Sequence, residues 1–124
     1  MARKILVVDD EKPIADIVKF NLEKEGYSVE LAFDGQEAID KTFSCSPDLI
    51  LLDIMLPSMD GVQILKEMST VGVGGGRPVI LLTNLGSENV IKDCFNYGAD
   101  GYLIKSEITP DRIVTEVNTF LGQR

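Results

Sequence analysis

The run Leu49-Ile50-Leu51-Leu52, closed by Asp53, constrains this chain more than any other stretch. Four consecutive aliphatic residues carry no period of two, so neither face of such a strand is meant for water. A strand buried on both faces belongs in the middle of a parallel sheet, with helices above and below. Three further apolar runs stop in the same manner. Ile5-Leu6-Val7-Val8 runs into Asp9-Asp10, Val79-Ile80-Leu81-Leu82 into Thr83, and Tyr102-Leu103-Ile104 into Lys105. Parallel strands lie about 4.8 Å apart. Their polar last residues would therefore gather along one edge, where open α/β sheets bind ligands. Three carboxylates, a hydroxyl and an ammonium in one crevice point to a site for a cation and a phosphoryl group.

Between these strands the periodicity is helical. A first helix follows Asp10 or Glu11 as cap, with Pro13 in its opening turn, Ile14, Ile17, Val18 and Leu22 inward, and Gly26 as its stop. Residues 27–32 alternate, with Val29 and Leu31 on one side and Ser28 and Glu30 on the other, which predicts a strand at a sheet edge. Asp34 and Glu37 have the spacing of a capping box for a helix that buries Ala38, Ile39, Thr42 and Phe43 and breaks at Ser46-Pro47. After a loop ending in Asp60-Gly61, a third helix carries Val62, Ile64, Leu65 and Met68. The glycine-rich stretch 71–76 has no following GK[ST], so it reads as a linker and not a phosphate cradle. Pro78 opens the fourth strand. Ser87 is then the predicted cap of a helix with Val90, Ile91, Cys94 and Phe95 on one face, ending at Gly98. The fifth strand covers 101–105. Thr109 and Pro110 start a last helix with Ile113, Val117, Phe120 and Leu121 inward. Five βα units give a three-layer, doubly wound parallel sheet of the α/β class, in a single domain over residues 1–124.

Composition narrows the chemistry. The net charge is −8 without a basic run, which argues against direct nucleic-acid binding. No apolar run approaches the roughly 20 residues of a membrane helix, and no signal peptide is indicated, so a cytoplasmic location is expected. Cys45 and Cys94 have neither CxxC nor metal spacing and read as free thiols. There is no histidine, which excludes Ser-His-Asp and Cys-His catalysis and histidine-ligated zinc.

Asp9, Asp10 and Asp53 repel one another unless a cation sits between them. An all-oxygen donor set selects Mg²⁺ or Mn²⁺. Asp53 can then act as a nucleophile toward phosphorus, with Lys105 pairing to the phosphoryl oxygens and Thr83 donating one hydrogen bond. Simpler roles exist for each residue alone: Asp9 or Asp10 as cap of the first helix, Asp53 as cap of the third, Thr83 as an ordinary strand residue. Their joint occurrence at four strand ends favours the site.

The chain resembles the receiver domains of two-component response regulators. The resemblance runs through Val7-Val8-Asp9-Asp10-Glu11, Leu51-Leu52-Asp53-Ile54-Met55-Leu56-Pro57, Met59-Asp60-Gly61, Leu82-Thr83 and residues 98–105, with separations of 30 and 22 residues between Asp53, Thr83 and Lys105. It implies a flavodoxin-like fold with strand order 2-1-3-4-5. It also implies Mg-dependent phosphorylation of Asp53 by a sensor histidine kinase or histidine phosphotransfer protein. Asp10, Asp53 and the Met55 carbonyl would ligate Mg²⁺ directly and Asp9 through water, while Lys105 holds the phosphoryl group. Thr83 and Tyr102 match the family's coupled switch pair. The implied protein is a signalling module, not an enzyme in the ordinary sense, since it acts only on its own phosphorylation and dephosphorylation. Its further partners would be a downstream protein or a fused output domain, with homodimerisation through the switch surface as a further possibility.

Three departures stand out. Ser106 replaces the usual proline after the lysine, so the preceding bond is either trans or strained. Asn84 is larger than the usual residue after the threonine, which narrows access to the phosphoryl group. Met55 and Leu85 offer no hydrogen bond to a hydrolytic water, which predicts slow self-dephosphorylation. Two other classes fit less well. A haloacid-dehalogenase-type enzyme needs an acid where Met55 stands, and a flavodoxin-type nucleotide binder would have its phosphate repelled by Asp9-Asp10-Glu11.

Overall fold

The structure is a computed structural model. It describes residues 2–56, 59, 61–70, 77–84 and 88–122, without the side chains of 68–70. Five strands, β1 (Lys4–Val8), β2 (Ser28–Ala32), β3 (Leu49–Asp53), β4 (Val79–Thr83) and β5 (Gly101–Ile104), alternate with helices. These are α1 (Lys12–Lys24), α2 (Gly35–Cys45), α3 (Gly61–Thr70), α4 (Glu88–Asn96) and α5 (Pro110–Leu121). All strands are parallel, in the order β2-β1-β3-β4-β5. The alternating strand β2 does lie at an edge, and the flavodoxin-like order is the expected one.

The unbroken aliphatic runs are buried because each side chain enters one of two cores. Leu6, Val8, Ile50, Leu52 and Leu81 pack under α2, α3 and α4 with Ala38, Ile39, Ile64, Leu65 and Cys94. Ile5, Val7, Leu49, Leu51, Ile80 and Leu82 pack under α1 and α5 with Val18, Leu22, Ile113 and Val117. Burying one such side chain contributes roughly 1.5–3 kcal/mol.

Helix ends follow the chemistry of their sequences. Asp34 Oδ1 accepts from the Glu37 N–H, while Glu37 reaches back to the Phe33 N–H, one residue before the cap. Ser46, left-handed at φ 47°, ends α2, and Thr109 caps α5 through the Arg112 N–H. Gly26 and Gly98, at φ 97° and 105°, supply the positive φ that closes α1 and α4. On the β2 edge, Lys41 Nζ donates to the Leu31 carbonyl at 2.5 Å.

Three inward assignments are corrected. Ile17, Phe43 and Phe95 are 57%, 52% and 39% exposed. Each sits one position off a face whose inward place is held by a smaller neighbour: Ala15 with Val18 in α1, Thr42 in α2, Cys94 in α4. Thr42 can be buried because its hydroxyl donates to the Ala38 carbonyl. The fifth strand also stops at Ile104, and Lys105–Glu107 form a 3₁₀ turn. The Lys105–Ser106 bond is trans, as no described peptide bond is cis. Asp60, the Met68 side chain, the linker 71–76, Leu85 and the Ser87 cap lie outside the described residues.

Candidate functional site

β1 and β3 are neighbours in register Val8↔Leu52, which sets Asp9 beside Asp53 just past their last paired residues. β4 continues the row with Thr83, opposite Ile104 of β5, so Lys105 follows at the same rim. Lys105 leans back across it. Its Nζ lies 3.0 Å from Asp53 Oδ2, 2.7 Å from Glu11 Oε1 and 3.2 Å from Asp9 Oδ1. The lysine side chain is only 7% exposed, and the Asp9 and Asp53 carboxylates are buried. Burial disfavours the ammonium, but Glu11 and Asp53 outweigh it, and Lys105 is held above the usual lysine range.

The carboxylates are fixed from the other side by backbone. Asp9 Oδ1 accepts the Glu11 N–H at 2.9 Å, and Asp53 Oδ1 accepts the Met55 N–H at 2.9 Å. Burial pushes the Asp9 carboxyl above its ordinary value; the Glu11 N–H and Lys105 oppose the shift, and the Asp53 charge adds to it. Asp9 Oδ2 is the revealing atom. It lies 3.1 Å from Lys105 Nζ, outside hydrogen-bonding direction, and is buried without a hydrogen-bond partner.

Asp9, Asp10, Glu11 and Asp53 each place a carboxylate oxygen within 4.8 Å of the others. A buried oxygen without a hydrogen bond, inside an all-oxygen cluster of four carboxylates, three of which share the Lys105 ammonium, fits a hard divalent cation, and neither thiolate nor imidazole is present to favour a softer one. Asp10 is exposed on the open side of the cluster. The Met55 backbone is drawn beside Asp53 by the bond to Oδ1, while its side chain points outward, 57% exposed.

The remaining site residues are placed as follows. Thr83 is buried at the adjacent strand end, but its hydroxyl donates to the Asn84 carbonyl at 3.1 Å and not to Asp53. Tyr102 is 49% exposed, on the β5 edge. Its ring meets Phe95 edge-on, with centroids 6.4 Å apart. Sequence reasoning missed the part played by Glu11. As N-cap of α1 it makes no side-chain cap bond, and its carboxylate turns to Lys105 instead. The signal was a third acid directly after the paired aspartates, read as an alternative cap, as part of the resembling motif and as a repelling charge, but not as a partner of Lys105.

Fold and rim together define an open α/β domain whose central strand ends in an acidic cluster at the carboxyl edge of the sheet. A family model for the response regulator receiver domain matches residues 5–118, and the chain belongs to that family. It is similar to a CheY-like receiver domain protein of Methanospirillum hungatei, at 32% identity over 98% of this chain and 95% of the other, with a TM-score of 0.90. It is similar also to a Francisella response regulator receiver domain (35%, 97% of each chain, TM-score 0.84). A two-component response regulator of Clostridium difficile gives 33% identity, 97% and 96% coverage and a TM-score of 0.87. The chain is thus a receiver domain of two-component signalling, and receiver domains typically bind Mg²⁺. No helix among the described residues is long and apolar enough to cross a membrane.

Proposed function

We propose that Asp53 accepts a phosphoryl group from a phosphohistidine on a separate sensor kinase or phosphotransfer protein. An Asp53 carboxylate oxygen attacks phosphorus, the P–O bond forms, the P–N bond breaks, and its electron pair leaves on the imidazole, which takes up a proton. The contact that supports this most directly is Lys105 Nζ at 3.0 Å from Asp53 Oδ2, because the ammonium is already at the atom to which phosphorus would be attached. Asp10, Asp53 and the Met55 carbonyl would hold Mg²⁺ or Mn²⁺, with Asp9 acting through water. When bound, the ion neutralises charge between the carboxylates and the incoming group.

Once Asp53 is esterified, Lys105 pairs with a phosphoryl oxygen. Thr83 gives up its bond to the Asn84 carbonyl for another, and Tyr102 leaves its exposed position to follow it inward. Phosphorylation adds about two negative charges, and that charge biases the two-state element formed by α4, β5 and α5. A downstream protein or a fused output domain reads the changed face, through which two copies also pair. The module turns over no external substrate. It acts only on its own acyl phosphate, whose hydrolysis is slow because Met55 and Leu85 cannot orient water.

The test is incubation with Mg²⁺ and acetyl phosphate or phosphoramidate, followed by intact mass. The expected outcome is a gain of one phosphoryl group, lost in Asp53→Asn and in EDTA. A wild-type mass unchanged by either donor would sink the reading.

A further inference from the structure

Lys105 has three N–H bonds to give and has given all of them, to Asp9, Glu11 and Asp53. The three acceptors differ in what they lose on release. Asp9 and Asp53 are buried, with side-chain exposures of 0% and 4%, so either would be left as an uncompensated charge away from water. Glu11 makes the shortest contact, 2.7 Å, yet its side chain is 55% exposed and water can replace the ammonium at once.

We propose that Glu11 is a positioning residue that acts through Lys105. It holds the ammonium at rest, and it is the partner given up when a phosphoryl group arrives at Asp53. The proposal rests on the phosphoryl-acceptor reading above. A phosphoryl group on Asp53 must draw Lys105 away from the carboxylates it now serves. Asp53 loses most of its own claim once esterified. Glu11 is then the remaining acceptor that competes for the ammonium without any need of it. Replacing its carboxylate by an amide of the same size keeps the packing and weakens the competing bond from charge-assisted to neutral.

The experiment is equilibrium binding of fluoroberyllate, a phosphoryl analogue, to the whole chain at saturating Mg²⁺, read by NMR shifts. Mn²⁺ affinity is measured separately by electron paramagnetic resonance. Glu11→Gln should bind fluoroberyllate about fivefold more tightly than wild type, the scale of one exposed charged contact. Glu107→Gln, which neutralises an exposed acid two residues from Lys105 that is not among the three acceptors of its ammonium, should not. Equal gains in both variants would reduce the effect to general charge and overturn the proposal. So would a Glu11→Gln protein with weakened Mn²⁺ binding and no gain for fluoroberyllate, which would make Glu11 a metal ligand. A wild type that binds no fluoroberyllate at all would instead count against the phosphoryl-acceptor reading, so the two failures are told apart.

Discussion

Lys105 and Asp53 meet at 3.0 Å although their strands are not neighbours: β4 lies between β3 and β5, and the lysine spans its end to reach the carboxylate. The contact therefore ties the end of β3 to the residue after β5 across the end of β4, and keeps a buried carboxylate paired.

Removing that tie has a calculable sign. Lys105→Met leaves Asp9 and Asp53 facing each other without a counterion, and the loss of one partner of a buried pair costs about 3 kcal/mol. Urea unfolding in EDTA should show this loss. Mg²⁺ should recover much of it, since a cation can stand in for the ammonium.

Asp10 is exposed, so Asp10→Asn should leave stability in EDTA within about 0.5 kcal/mol of wild type. Wild type should gain about 2.7 kcal/mol when Mg²⁺ is at a hundred times its dissociation constant. At the same concentration the variant should gain far less. Thermal melts with and without the ion check both statements.

The alkaline limb of stability should report Tyr27. Its hydroxyl donates to Asn118 in a buried position, and burial raises its pKa above the ordinary 10.0, with Arg3 opposing and Glu25 assisting. A group that holds its proton more tightly in the fold contributes stability fully present below its unfolded pKa. That contribution is lost as pH rises through the folded value. Melting temperature should therefore fall beyond pH 10, and Tyr27→Phe should remove this component of the fall.

Gly61 opens α3 against the residue that follows the acceptor. A Cβ there would lie 2.6 Å from Ile54 Cγ2 and 3.0 Å from the Ile54 Cα. Gly61→Ala should destabilise by about 1–3 kcal/mol and slow the labelling of Asp53, because backbone next to the acceptor has to move. Gel-based or mass-based labelling with phosphoramidate reads the second effect.

Tyr102 is half exposed, and its accessibility should change with the state of Asp53. Nitration by tetranitromethane, located by peptide mass, should modify Tyr102 at rest and less so with fluoroberyllate bound. In Asp53→Asn the analogue should give no protection.

Much of this was legible in the residues themselves. Unbroken runs such as Leu49–Leu52 and Val79–Leu82 have one good solution, a strand covered on both faces, and the acids that end them then fall together by topology alone. What could not be read was side-chain direction within a helical face. Ile17, Phe43 and Phe95 are apolar and at nearly the right spacing, yet α1, α2 and α4 turn their neighbours Val18, Thr42 and Cys94 inward instead. Glu11 does stand at the cap position, but the direction of its side chain was not legible for a related reason. A carboxylate at a helix start has two outlets, the local N–H groups or a distant cation, and only the three-dimensional position of Lys105 decides between them. The resting orientations of Thr83 and Tyr102 belong to the same class, since a rotamer choice leaves no trace in spacing.

The alternation of β3 between the two cores carries a consequence for signalling. Leu49 and Leu51 are gripped from one side and Ile50 and Leu52 from the other, so neither helical layer can loosen and take the acceptor with it. Backbone amides of this strand should be the last to exchange with deuterium. If Asp53 is phosphorylated as proposed, the group is added at the end of the best-anchored strand, and the resulting motion is expected at the periphery.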